Sequence, residues 1–255
     1  MAAEQPPAMQ GVDRALRTIA LLGTRGGGFS LDELSRSLGI PKSSLHRMLA
    51  VFRAHGFATQ PEEGGRYYLG PAALEAAFGF HEAMDLRALI HPLITAVRER
   101  FDETAHMAVL AGADVVYLDK AEAGHAVRLT SVLGGRNPAH ATGVGKAMLA
   151  QVLADDDAVH AWVADRGPLA ARTPYSAVTA DELAARLAAV RARGYAVDDE
   201  ESELGVRCVA VPVFFGGRTP VAAVSVTAPK ERMPLETTEE IGRALREMVD
   251  AYQRP

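Results

Sequence analysis

At 255 residues, with 48% hydrophobic and 23% charged side chains, the chain has the make-up of a globular protein with one large domain or two smaller ones. No apolar run approaches membrane-spanning length, the N-terminal MAAEQPPAMQ lacks the basic and apolar regions of a secretory signal, and the single Cys208 excludes an intramolecular disulfide; all three fit a cytoplasmic protein. The formal net charge of −5 hides an asymmetry: residues 10–70 hold 8 Lys/Arg against 5 Asp/Glu, and the remainder 19 against 27, so a cationic module suited to a polyanion precedes an acidic one.

Residues 1–9 read as a short disordered tail. In VDRALRTIALL, Val12, Ala15, Leu16, Ile19 and Leu22 recur at helical spacing, with Arg14 and Arg17 turned away. GTRGGGFS breaks that helix. Ser30 followed by Glu33 is a capping-box pattern that opens LDELSRSL, where Leu31, Leu34 and Leu38 face inward and Gly39 supplies a left-handed stop. Pro41 suits the start of the next helix, in which Leu45, Met48, Leu49 and Phe52 form one apolar stripe and Gly56 ends the run. With that stripe buried, Lys42, Ser43, His46, Arg47 and Ala50 fall on the open face, and Ser44 stands beside them at the helix start. Short polar and cationic side chains at a helix N-terminus are what docking in a DNA major groove requires. FATQ and RYYL around PEEGG read as a hairpin that makes this a winged helix-turn-helix, with Arg66 at the wing placed to touch backbone phosphate or a minor groove.

Farther along, DLRALIHPLITAVRERF is helical, with Leu86, Leu89, Ile90, Leu93 and Val97 on one side. HMAVLAGADVVYLDKAE is a pair of strands around Gly-Ala-Asp. TGVGKAMLAQVL is a helix. TADELAARLAAVRARG is another, with Thr179 as N-cap, Glu182 three residues on, and Gly194 as terminator. VRCVAVPVFF and VAAVSVTA form a second hairpin, and LETTEEIGRALREMVDAY closes the chain as a helix. Antiparallel hairpins interrupted by helices give an α+β domain, with room for a small ligand on one side of the sheet.

The chemistry of this second module is sparse. HATGVGKAM fails as a phosphate-binding P-loop because His140 stands where its first Gly belongs and Ala147 where Ser or Thr must hold magnesium. The N–H groups of Gly143 and Val144 still open a helix and can receive a carboxylate without a metal. DDEESE gathers acids without a histidine at fitting spacing, so it reads as a solvated loop and not as a metal site. Cys208 lies in an apolar strand without a local base, which describes a buried inert thiol. His106, His125 and His140 lack the carboxylate context of a catalytic set. Neither a metal nor a cofactor is expected, and no catalytic residue is assigned.

Taken in order, RALRTIALL, LDELSRSLGIPKSSLHRMLAVFRAHGF, RYYLGPAALE, HPLITAVRERFDETAHMAVLAGADVVYLDK, RNPAHATGVGKAMLA, GYAVDDEESELGVRCVAVPVF and VAAVSVTAP resemble the IclR-type bacterial transcriptional regulators over nearly the whole chain. The resemblance implies a winged helix-turn-helix over 10–70, a linker helix over 71–84 and a GAF-like effector domain over 85–255. It implies a homodimer or a dimer of dimers on an operator in double-stranded DNA, repressing more often than activating, and answering to a small effector, a carboxylate above all. By the same resemblance the effector pocket is lined by Ala126, Leu129, Gly143, Val144, Asp198, Val206, Cys208, Ser225 and Thr227. The methyl of Thr227, where many members carry Ser, and the small Ala126 point to a ligand other than the family's smallest keto acids. The rival reading is an enzyme acting on a small acid, with an appended DNA-binding module and a site around Cys208 and Asp198.

Overall fold

A computed structural model describes residues 7–62, 65–73, 75–76, 86–125, 131–215 and 217–253. The chain divides into two compact units, one ending at Asp85 and one beginning at Leu86.

The first unit contains α1 (Pro7–Leu22), α2 (Leu31–Leu38), α3 (Lys42–Ala54) and a two-stranded sheet of β1 (Ala58–Thr59) and β2 (Tyr68–Leu69). The helix begins inside the expected tail: Pro7 opens α1, a position where its missing N–H costs nothing. The capping box forms as the spacing predicts, with Ser30 Oγ accepting from Glu33 N–H at 3.2 Å and Glu33 Oε2 accepting from Ser30 N–H at 2.7 Å. Gly39 takes φ 66°, the left-handed value that stops α2. Leu34, Leu45, Leu49 and Phe52 meet Leu22, Ile40 and Tyr67 in one core. The α1 stripe departs from expectation: Val12 and Leu16 are exposed, and Thr18 is buried in their stead, its hydroxyl donating to Arg14 O at 2.7 Å. Helical spacing selects a face but does not say how far along the helix the neighbours extend. Of the expected linker helix, residues 71–73 and 75–76 are helical, and 74 and 77–84 lie outside the described residues.

The second unit is built on one antiparallel sheet in the order β5-β4-β3-β8-β7-β6. Its strands are β3 (Thr104–Ala111), β4 (Asp114–Ala121), β5 (Arg136–Pro138), β6 (Ala196–Asp199), β7 (Val206–Val213) and β8 (Ala222–Pro229). One face, through Met107, Val209, Val224 and Val226, packs on α4 (Leu86–Phe101) and the last helix, α8 (Thr238–Gln253). In α4, Ile94 takes the inward place expected of Leu89, which is exposed. The other face, through Ala108, Cys208, Ala210 and Ala223, packs on α5 (Gly143–Val152), with α6 (Asp156–Arg166) and α7 (Ala180–Arg193) in the same core. Small residues on this face let α5 lie close. A Cβ on Gly143 would stand 2.9 Å from Cys208 Sγ, closer than real Cβ contacts come. α6, β5 and β6 have no counterpart among the predicted elements.

Candidate functional site

In the first unit the α3 stripe turns Lys42, Ser43, His46, Arg47 and Ala50 to the exposed side, with Ser44 half-buried. Among the described residues no partner is recorded for the side chains of Ser43, His46 or Arg47. Lys42 Nζ lies 2.7 Å from Asp32 Oδ1, but both ends of this pair are exposed, so it adds little stability and yields readily to a phosphate. The wing is different. Arg66 Nη2 donates to Glu33 Oε2 at 2.7 Å and to Gly28 O at 3.2 Å, and its Nε donates to Gly27 O at 3.1 Å. The guanidinium foreseen as a phosphate contact thus also ties the chain just before β2 to α2, while 44% of its side chain stays exposed. Glu33 also receives Arg25 Nη2 at 3.1 Å. The Ser30 N–H above all, and then the two arginines, hold its carboxyl down at about 2.

In the second unit a cavity of about 250 Å³ opens where the start of α5 meets β7 and β8. Six of the residues implied by resemblance line it: Gly143, Val144, Asp198, Val206, Cys208 and Thr227. Ser225 lies in register opposite Ala210 and His106, fully buried, and its hydroxyl has no hydrogen-bond partner among the described residues. Ala126 and Leu129 lie outside the described residues. Thr142 caps α5, its hydroxyl accepting from Gly145 N–H at 3.2 Å. That leaves the N–H groups of Gly143 and Val144 without intrahelical acceptors at the positive end of the helix dipole.

Burial keeps the lining largely neutral. It pushes the Cys208 thiol up to about 12, with the charge of Asp198 adding to the effect, so the thiolate a nucleophile needs is absent near neutral pH. It pushes Tyr117 up to about 12 and His106 down to about 4. His106 and Tyr117 are lining residues that sequence periodicity does not single out; it is the pairing of β3 with β8, setting His106 opposite Ser225, that puts the imidazole on the pocket face.

The acidic run departs most from expectation. Asp198 is buried, accepting from the N–H groups of Glu201 and Ser202 at 2.8 and 3.2 Å and from Ser202 Oγ at 2.5 Å; burial still raises its pKa. Glu201 is buried between Lys146 of α5 and Arg186 of α7, and Lys146 Nζ also donates to Val197 O at 2.7 Å. Asp199 pairs with Arg207 at 2.6 Å and Glu200 with Lys230 at 3.1 Å. The run is a folded turn tied to four cations, because its charges have partners on strands and helices far away in sequence. No group of three or more His, Cys, Asp or Glu suited to a metal ion occurs among the described residues.

Comparison with known proteins covers both units. Residues 11–62 match the family model described as the IclR helix-turn-helix domain, and residues 79–254 match that of the bacterial transcriptional regulator IclR C-terminal. The transcriptional repressor IclR of Escherichia coli is 34% identical over 250 residues, spanning 96% of this chain and 90% of that protein. Among solved structures, an IclR transcriptional regulator from Alicyclobacillus acidocaldarius superposes with a TM-score of 0.77 at 26% identity, covering 98% of this chain and 100% of that one. An IclR homolog from Microbacterium hydrocarbonoxydans, complexed with 4-hydroxybenzoate, superposes with a TM-score of 0.76 at 25% identity, covering 96% and 98%.

Proposed function

The chain belongs to the IclR family of bacterial transcriptional regulators, a DNA-binding regulator with a C-terminal effector domain, and from that membership we propose how it works: as a cytoplasmic repressor whose hold on an operator is set by a small carboxylate in the second unit. The observation that carries the DNA side is the uncovered cationic face of α3. Lys42, Ser43, Ser44 and His46 take phosphates or base edges near the helix start, and Arg47 reaches a guanine. Arg66 braces the wing through Glu33 and, with much of its side chain still exposed, is also placed to meet a backbone phosphate or a minor groove. The named repressor relative favours repression over activation.

The protein acts as a homodimer, or a pair of dimers, so that two copies of α3 meet two half-sites. The exposed Val12 and Leu16 of α1 support a partner copy, since two large apolar side chains on one helix face are left in water otherwise.

The carboxylate sits at the start of α5, against Gly143 and Val144, with Asp198, Val206, Cys208, Ser225 and Thr227 around it. The 4-hydroxybenzoate held by the Microbacterium homolog supports a ligand of this kind. Such a ligand acts by binding one arrangement of the DNA-reading units more tightly than another; equal affinity for both would shift nothing.

Gel-shift titration with the intergenic DNA beside the gene tests the reading. Arg47→Ala is expected to weaken operator binding by about 1–3 kcal/mol and to relax the preference for one base. Lys42→Ala is expected to weaken all sequences alike. Operator affinity unchanged in both variants refutes the assignment of this face.

A further inference from the structure

His106 lines the cavity although the surrounding sheet leaves only 4% of it exposed. Both its ring nitrogens face hydroxyls: Nε2 is 2.8 Å from Ser131 Oγ, and Nδ1 is 3.3 Å from Thr227 Oγ1. A neutral imidazole has one N–H and one bare nitrogen, so one of these hydroxyls donates to the ring and the other accepts from it. A hydroxyl rotates freely and keeps spare lone pairs, so a further hydroxyl can join this short chain at either end. The ring stands edge-on to Tyr117, with centroids 5.4 Å apart and planes at 62°. Burial, aided by the charge of Lys120, keeps the imidazole uncharged across the physiological range.

The charged side chains of the described lining are Arg136, Asp198 and Glu203. Arg136 is already engaged, donating to Asp114 Oδ2 and to Ala111 O at 3.1 Å each. One anionic group can be received at the start of α5; among the described lining residues a second would confront Asp198 and Glu203, with Arg136, paired to Asp114, the one cation there. Phosphates and dicarboxylates are disfavoured on that ground. Size adds a second constraint. A cavity of about 150 Å³ already takes a benzene molecule, and this one has about 250 Å³. It therefore has room for an aromatic ring together with a carboxylate and one more polar substituent.

We propose that the His106–Ser131 pair, extended by Thr227, reads an uncharged hydroxyl on the effector, so that the ligand is a hydroxylated monocarboxylate with a body the size of an aromatic ring. The proposal rests on the cavity being the effector site. His106 here sets specificity, because a buried polar chain left without its partner penalises the analogue that lacks the hydroxyl.

Isothermal titration of the whole protein with benzoate, 3-hydroxybenzoate and 4-hydroxybenzoate tests it. At least one hydroxybenzoate is expected to bind roughly tenfold or more tightly than benzoate. In His106→Phe and in Ser131→Ala that ratio is expected to fall to about threefold or less. Ser131→Ala removes a single oxygen from a half-buried position, so it decides the matter if His106→Phe fails to fold, which circular dichroism will reveal. Equal affinity for benzoate and both hydroxybenzoates, or a ratio that survives in the folded variants, overturns the hydroxyl reading and leaves the effector site standing. Binding of none of the three overturns both.

Discussion

A buried imidazole is also a stability switch, and His106 gives it a sign. Its pKa falls from an ordinary 6.5 to about 4 in the folded protein, so between those values the unfolded chain binds the extra proton. Stability is complete above pH 6.5 and is lost as pH drops toward 4, by about 3 kcal/mol for this group. Asp198, raised by burial, works in the opposite sense, so the comparison must be made between variants. Urea midpoints at pH 7.5 and 4.5 are expected to converge when His106 is replaced by Asn, relative to the wild type. Lys146 supplies a second single-residue prediction. It is only 1% exposed and shares Glu201 with Arg186. Lys146→Met leaves a buried carboxylate short of one partner and is expected to cost about 3–5 kcal/mol in urea unfolding. Lys146→Met combined with Glu201→Leu is expected to recover a large part of that loss, because the uncompensated charge is gone.

Among the elements, the helix ends carry the most local information. Thr179 caps α7 and Glu182 returns the bond to the Thr179 N–H at 3.2 Å, so Thr179→Ala is expected to lower the thermal midpoint by the equivalent of about 1 kcal/mol. Those ends were also the most legible part of the sequence: Ser30, Glu33, Gly39, Thr179 and Gly194 mark α2 and α7 by chemistry that acts within four residues. The stripe of α3 was legible for the same reason, and so was its open face. α6 was not, since only Val159 and Trp162 of its side chains are buried and two anchors make no periodic pattern. The acidic turn is not legible locally, because Lys146, Arg186, Arg207 and Lys230 reach it from 8 to 55 residues away, a distance no local rule spans. Most of the cavity lining came from likeness to a family; the residues alone pointed only to the α5 start and the hydroxyls of β8. His106 and Tyr117 escaped because a polar residue in a strand looks the same whether it faces a pocket or water.

For the molecule as a whole, charge decides how it meets DNA. The net −5 opposes a polyanion at long range, and the cationic residues of the first unit must win at short range. Raising salt from 50 to 200 mM is therefore expected to weaken operator binding roughly tenfold or more, with a log–log slope about one unit shallower in Lys42→Ala, measured by fluorescence anisotropy. The crowding of α5 against the sheet has a practical side. Position 143 admits no methyl while Cys208 is opposite, 2.9 Å from where it would sit. A biosensor strain built on this regulator can thus be retuned to new analytes from the rim, at Val132, Glu203 or Val206, whereas bulkier residues introduced at the α5 seat would pry the helix off its support before they altered selectivity.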